Sequence, residues 1–238
     1  MTGSKLWFLG AGPGAADLLT VRAARVLASA DVVIWGKAVM ADELVAEHAN
    51  PDAELVPWPP AAMADIHAVY DRVQAEELVV ARLMWGDHAL YGTLRDEVRA
   101  ARARSLDCEI VPGVSALGAA AAALGIELTR APMSSQSLIL TAATADEPLR
   151  DFAAHGATIA IFMAGARGED LQRELLAGGY GPHTPCAIVH RVTRDGEVVL
   201  RCRLEELGTT LVSPDLDRLT MVLVGAALAD DFGAGEPA

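Results

Sequence analysis

The chain has 238 residues, 52% hydrophobic and 21% charged, enough for one large or two modest domains with a substantial core. A formal net charge of −13 repels phosphate backbones and argues against nucleic acid as a partner. The three cysteines, Cys108, Cys186 and Cys202, contain no CxxC pair, which excludes a zinc ribbon or thioredoxin-type motif and suits a reducing cytoplasm.

The first strand is predicted at Leu6–Leu9. It runs into Gly10-Ala11-Gly12-Pro13-Gly14, a turn reached too early to leave room for a signal peptide. Helical spacing of Leu18, Leu19, Val21, Ala24, Val26 and Leu27 predicts a helix over Leu18–Ser29. Further strands are expected at Asp31–Trp35, Ala53–Pro57, Leu78–Met84 and Cys108–Val111, with helices at Met40–His48, Ala64–Gln74 and Thr93–Arg104 between them. In the last of these helices acids come early and arginines late, as the helix dipole favours. Short apolar strands alternating with helices imply a mainly parallel α/β sheet. Ligands of such sheets sit at the carboxyl ends of the strands.

The longest uncharged run, Ile110 to Ile126, is interrupted by Pro112, Gly113, Gly118 and Gly125, so it reads as a turn and a buried helix, not a membrane span. That helix is Ala116–Leu124, with Gly125 placed to cap it. Strands follow at Ser137–Ala142, Thr158–Met163, Ala187–Arg191, Glu197–Leu204 and Leu219–Val224, and helices at Pro148–His155 and Glu169–Ala177. Asp195-Gly196 predicts a hairpin. The expected division is an N-terminal α/β domain over 1–114 and a C-terminal one over 115–238, with a polar tail from about 230 that frays.

Three turns follow predicted strands. Gly10-x-Gly12-x-x-Ala15 fits a dinucleotide fingerprint in form, but the second strand ends Trp35-Gly36-Lys37 without the acid that would hold a ribose, and Pro13 lacks an N–H for a pyrophosphate. A pocket for an uncharged or zwitterionic cofactor fits better than NAD or FAD; a plain tight turn stays open. Trp85-Gly86-Asp87-His88-Ala89-Leu90-Tyr91-Gly92 brackets a carboxylate, an imidazole and a phenol between glycines, so Asp87, His88 and Tyr91 are the candidate proton acceptors. Asp87 also suits the N-cap of the next helix, and His88 an ordinary structural place. In Val111-Pro112-Gly113-Val114-Ser115-Ala116, Ser115 is a good N-cap. Ser134-Ser135-Gln136-Ser137 is a polar cluster that fits a site or a plain loop. The six histidines are scattered without ligand spacing, so no metal site is expected.

Taken together these motifs resemble the tetrapyrrole (precorrin/uroporphyrinogen) methylase family. The resemblance rests on Gly10–Gly14 with Asp17-Leu18-Leu19-Thr20, on Ala30-Asp31-Val32-Val33, on Gly86-Asp87 with Leu90-Tyr91-Gly92, and on Val111–Ala116, and it covers about residues 5–228. It implies two α/β domains in the tetrapyrrole methylase arrangement, with S-adenosyl-L-methionine in the interdomain cleft, a tetrapyrrole substrate, a cytoplasmic homodimer, and no nucleic-acid or membrane partner. It assigns cofactor contacts to Pro13, Trp85, Gly86, Asp87, Leu90, Ser115, Ala116, Met163, Arg191 and Met221. Asp87 and Tyr91 are the residues taken as catalytic.

Within the family the second half looks most like the enzymes that methylate precorrin-4 at C11 in cobalamin biosynthesis, through Ala119–Thr129, Ser135–Thr141, Ala153–Phe162 and Glu174–Tyr180. Ala15-Ala16 stand where the family has Asp-Pro, His88 where it has Pro, and Gly36-Lys37-Ala38-Val39 where it has Ala-Gly-Ser-Leu. Those departures keep open a divergent paralogue with another precorrin position or substrate, and a catalytically silent binding protein. Arg82, Arg95, Arg130 and Arg191 are candidates for the substrate carboxylates.

Overall fold

A computed structural model describes residues 4–37, 40–129, 136–143, 149–165, 167–212, 216 and 219–229. Arg130, Ser134, Ser135, the Ala38-Val39 pair and the expected tail from 230 lie outside the described residues. The chain divides into two compact units, Met1–Ala119 and Ala120–Ala238.

The first unit is built on β1 (Lys5–Gly10), β2 (Val32–Trp35), β3 (Glu54–Pro57), β4 (Val79–Met84) and β5 (Cys108–Val111). Its strand order is β3-β2-β4-β1-β5, and every pair is parallel. Its helices are α1 (Val21–Leu27), α2 (Asp42–His48), α3 (Met63–Arg72) and α4 (Leu94–Ala103). Successive strand residues face opposite sides, so each strand feeds two cores. Trp7, Leu9, Val33, Trp35 and Leu83 pack with Val26, Leu27 and Leu44 of α1 and α2. Leu6, Phe8, Val32, Ile34 and Val80 pack with Ile66 and Tyr70 of α3 and Ala101 of α4.

The expected helix over Leu18–Ser29 starts later. The Thr20 hydroxyl accepts from Ala23 N at 3.3 Å and caps α1 at Val21, while Ala16–Leu18 forms a separate short 3-10 turn. The apolar Leu18 and Leu19 fit the helical period, and the local capping bond overrides it. Helix α5 (Ala116–Leu124) ends as expected, with Gly125 at φ +67° and Ile126 N donating to Ala121 O at 3.1 Å.

The second unit contains β6 (Leu138–Ala142), β7 (Thr158–Phe162), β8 (Pro185–His190), β9 (Val198–Arg203) and β10 (Thr220–Val224), in the order β6-β7-β10-β8-β9. Only the β6–β7 pair is parallel; β7–β10, β10–β8 and β8–β9 are antiparallel. The mainly parallel sheet expected from the first half of the chain is the sheet of the first unit, whereas the strand-rich second half forms a largely antiparallel one. The short connection between β8 and β9 forces antiparallel pairing, because a parallel pair needs a crossover of a dozen residues or more. The predicted hairpin is there, with a wider turn than Asp195-Gly196 alone: Arg194 N donates to Arg191 O and Glu197 N to Arg194 O. One face of this sheet, including Ile159, Ile161, Ile188, Val222 and Val224, packs on α6 (Leu149–Ala153), α7 (Gly168–Ala177) and α8 (Leu207–Thr210). Helix α8 is too short for its apolar spacing to announce it. Among the described residues no helix is long and apolar enough to cross a membrane.

Candidate functional site

In the first unit the loops after β1, β4 and β5 meet at the carboxyl ends of the strands. Ala11 N donates to Met84 O at 2.7 Å, and Gly12 N to Gly86 O at 3.2 Å. Gly12 and Gly86 form an isolated antiparallel bridge. The third loop is pressed against both. A Cβ built on Gly113 would stand 2.1 Å from Gly86 O and 2.8 Å from Gly10 Cα, and one on Gly10 would stand 2.4 Å from Gly113 N. No side chain fits there, so Gly10 and Gly113 are required by backbone contact.

Gly86 differs. It sits at φ +53°, and a Cβ there would meet nothing nearer than Ala116 N at 4.0 Å. The space beside this residue is open, as a ligand approaching backbone requires. Around the junction stand most of the first-unit residues singled out from sequence. Pro13 is buried, Trp85 is exposed, and Gly86, Asp87, Leu90, Ser115 and Ala116 are of intermediate exposure. Trp85 stacks in a tilted arrangement on Trp58, with ring centroids 6.4 Å apart. Trp58 carries no sequence signal for this role, because its neighbour lies 27 positions away in the chain.

Asp87 is shaped by its own turn. Its Oδ1 accepts from Ala89 N at 3.0 Å, and its carbonyl accepts from Leu90 N at 3.0 Å. It is therefore not the N-cap of α4, which begins at Leu94. Tyr91 follows with φ +54° and an exposed ring. Ser115 behaves as a cap: its Oγ accepts from Leu117 N at 3.2 Å. His88 is 4% exposed, and among the described residues its Nδ1 is buried without a hydrogen-bond partner. Burial lowers the pKa of His88, and the Asp87 charge only partly offsets this.

Arg82 is not available to a substrate. Its guanidinium is buried in the sheet–helix core and bonds Glu97 Oε1 at 3.0 Å, while Tyr70 OH donates to Glu97 Oε2 at 2.6 Å. Burial, and then the Glu97 charge, raise the Tyr70 pKa, so the phenol stays a donor. An arginine at an inward position of a buried strand is read correctly only once its partner is seen. Arg95 is exposed on α4, where it lines a shallow depression with Arg99, Arg102 and Ile110.

The second unit has its own grouping. Met163 and Arg191, immediately after β7 and β8, both adopt left-handed backbone, at φ +56° and +49°. Ala164 N donates to Thr220 O at 2.9 Å and Arg191 N to Leu219 O at 3.2 Å. These bonds bring the ends of β7 and β8 together at the start of β10, where Met221 is buried opposite Val189. Strained non-glycine backbone of this kind persists only where its surroundings enforce it.

The donor set has a definite chemistry. Residues 10–20, 85–92 and 112–116 contain Asp17 and Asp87 and not one lysine or arginine. Such a junction offers carboxylates and no cationic side chain, which favours a zwitterion or cation. Among the described residues no three His, Cys, Asp or Glu lie together as a metal site.

Residues 5–208 match the model of the tetrapyrrole (corrin/porphyrin) methylases. The chain belongs to that family. It is 36% identical over 230 residues to a precorrin-4 C(11)-methyltransferase of Mycobacterium tuberculosis, covering 94% of this chain and 91% of the relative. Its fold is similar to the X-ray structure of a cobalt-precorrin-4 methyltransferase of cobalamin biosynthesis, with TM-score 0.88 and 31% identity over 95% of this chain and 96% of that one. It is also similar to a uroporphyrin-III C-methyltransferase from Thermus thermophilus complexed with S-adenosylhomocysteine, with TM-score 0.77 and 27% identity over 98% of this chain and 96% of that one.

Proposed function

We propose that this methylase is an S-adenosylmethionine-dependent C-methyltransferase of cobalamin biosynthesis, with precorrin-4 as substrate and C11 as the carbon methylated. The observation that carries the reading is the three-loop junction. It has open space beside Gly86, an aromatic and apolar rim, and no cation, on a chain similar over nearly its whole length to precorrin-4 methyltransferases. The residues present fit S-adenosylmethionine. Pro13, Trp85, Gly86, Asp87, Leu90, Ser115 and Ala116 are the proposed contacts in the first unit, and Met163, Arg191 and Met221 in the second.

When bound, S-adenosylmethionine supplies a methyl group on a sulfonium that is already a strong electrophile. The protein's own work is then orientation. The glycine junction fixes the height of the 85–92 loop, and Trp85 and Leu90 offer apolar area. Asp87, held by Ala89 N, presents a carboxylate where a cationic or hydroxylated group is favoured. Holding electrophile and carbon nucleophile close and in line accounts for much of the acceleration. Asp87 and Tyr91 are the proposed proton acceptors, at the carboxylate oxygen and the phenol oxygen. A cytoplasmic homodimer is proposed on the family resemblance.

The test is incubation with S-adenosylmethionine and precorrin-4, in metal-free and cobalt forms, followed by mass spectrometry and NMR of the labelled product. The expected product gains one methyl at C11. Binding of S-adenosylhomocysteine by calorimetry with no methyl gained on precorrin-4 removes that substrate while keeping the cofactor. No binding at all sinks the whole reading. A second reading, a paralogue with another precorrin position, is favoured by Ala15-Ala16 and by buried His88 in place of Pro, and a methyl gained at another carbon would establish it.

A further inference from the structure

Cys186 and Cys202 stand directly opposite each other on the antiparallel strands β8 and β9. Leu204 N donates to Thr184 O at 2.9 Å two residues further along the same ladder. Hydrogen-bonded pairs recur every second residue, which makes Cys186–Cys202 such a pair, with Cα atoms about 5.5 Å apart. That separation lies within the range of about 4.4–6.8 Å that a disulfide spans. Both side chains point to one face of the sheet: Cys186 belongs to the core cluster and Cys202 packs at its margin. Both are free thiols. Cys186 is 2% exposed, with its thiol 3.7 Å from Thr184 O, whereas Cys202 is of intermediate exposure. Cys108, in contrast, sits on β5 opposite Leu6.

We propose that Cys186 and Cys202 form a reversible dithiol–disulfide site whose oxidant is a low-molecular-weight disulfide. The step balances without a metal or a further reductant. The Cys202 thiolate attacks one sulfur of the small disulfide, forming a mixed disulfide and expelling one small thiolate, which takes up a proton. The Cys186 sulfur then attacks the Cys202 sulfur, loses its own proton, and expels the second small thiol. Two protein thiols are oxidised, one small disulfide is reduced, and β8 becomes covalently joined to β9. Hydrogen bonds from the Cys186 thiol and from Thr210 lower the Cys202 pKa, against burial and the Glu206 charge; the Cys186 thiol is pushed up. This matches the assigned order of attack, with the more exposed sulfur first. Opposed Cβ atoms in a sheet stand about 4.5–5.5 Å apart. A relaxed disulfide brings them to about 3.8 Å, so closure pulls the strands together and leaves a bond that is readily reduced.

The experiment treats the whole protein with oxidised glutathione under native conditions, alkylates the remaining thiols and maps the cysteines by peptide mass. The expected result is a Cys186–Cys202 cross-link with loss of two hydrogens, opened by dithiothreitol, while Cys108 is alkylated throughout. Cys186→Ser is expected to trap a lasting glutathione adduct on Cys202. Cys202→Ser, at the less buried position, is expected to slow thiol loss at Cys186 by at least about tenfold. An unresolved adduct on Cys202 of the wild type overturns the proposal. So does unchanged reactivity of Cys186 in Cys202→Ser, or alkylation of all three cysteines after oxidation as before it. The readout is independent of methyl transfer, so failure here leaves the proposed function standing.

Discussion

Gly113 and Gly118 are five residues apart in one apolar run, yet they have opposite reasons to be glycine. A Cβ at Gly113 enters the Gly86 carbonyl at 2.1 Å, whereas a Cβ at Gly118 meets nothing within 4 Å. Gly113→Ala is expected to destabilise the protein by about 3 kcal/mol or to prevent folding, since backbone must move on both sides. Gly118→Ala, inside α5, is expected to stabilise by about 0.5–1 kcal/mol through helix entropy. Chemical denaturation of the two variants checks both signs. His88 makes a second prediction at this scale. Its folded pKa lies below the ordinary value of 6.5 because the ring is buried. The unfolded chain therefore binds more protons, and the stability from a neutral His88 is complete above pH 6.5 and is lost as pH falls toward the folded pKa. His88→Phe is expected to flatten that acid slope in urea melts taken between neutrality and pH 5. An unchanged slope would show that His88 does not cause it.

At the scale of elements, β4 and α4 are tied by a charge inside the core. Glu97 accepts from both Arg82 and Tyr70, so both carboxylate oxygens have a partner. Removing Arg82 leaves the Glu97 carboxylate buried without a balancing cation, held by the Tyr70 hydroxyl alone. Arg82→Met alone is expected to cost about 3–5 kcal/mol, while the triple change Arg82→Met, Glu97→Leu, Tyr70→Phe is expected to fall within about 2 kcal/mol of the parent. Equal losses in both variants, measured by denaturation, would contradict the argument. Sequence periodicity identifies every strand and the longer helices here, because apolar alternation and the 3.6 period act locally. It misplaces the start of α1, where the Thr20 cap decides, and passes over α8, which is too short to carry a period.

At the scale of the whole molecule, the family is legible because four short motifs recur in order along the chain, and the comparisons agree over residues 5–208. The proposed homodimer is tested by light scattering at several concentrations, with twice the monomer mass expected and a concentration-independent monomer contradicting it. The sequence by itself determines the glycine turns, the alternation that builds a parallel sheet in the first unit, and the absence of lysine and arginine from the three loops. Those are properties of residue type and local spacing. Only the tertiary structure decides that Gly10 and Gly113 are glycine because backbones touch, that Arg82 belongs to the core, that the second sheet is largely antiparallel, and that Cys186 faces Cys202. Each of these depends on a partner far away in the chain, and local spacing carries no information about which distant residue will arrive opposite.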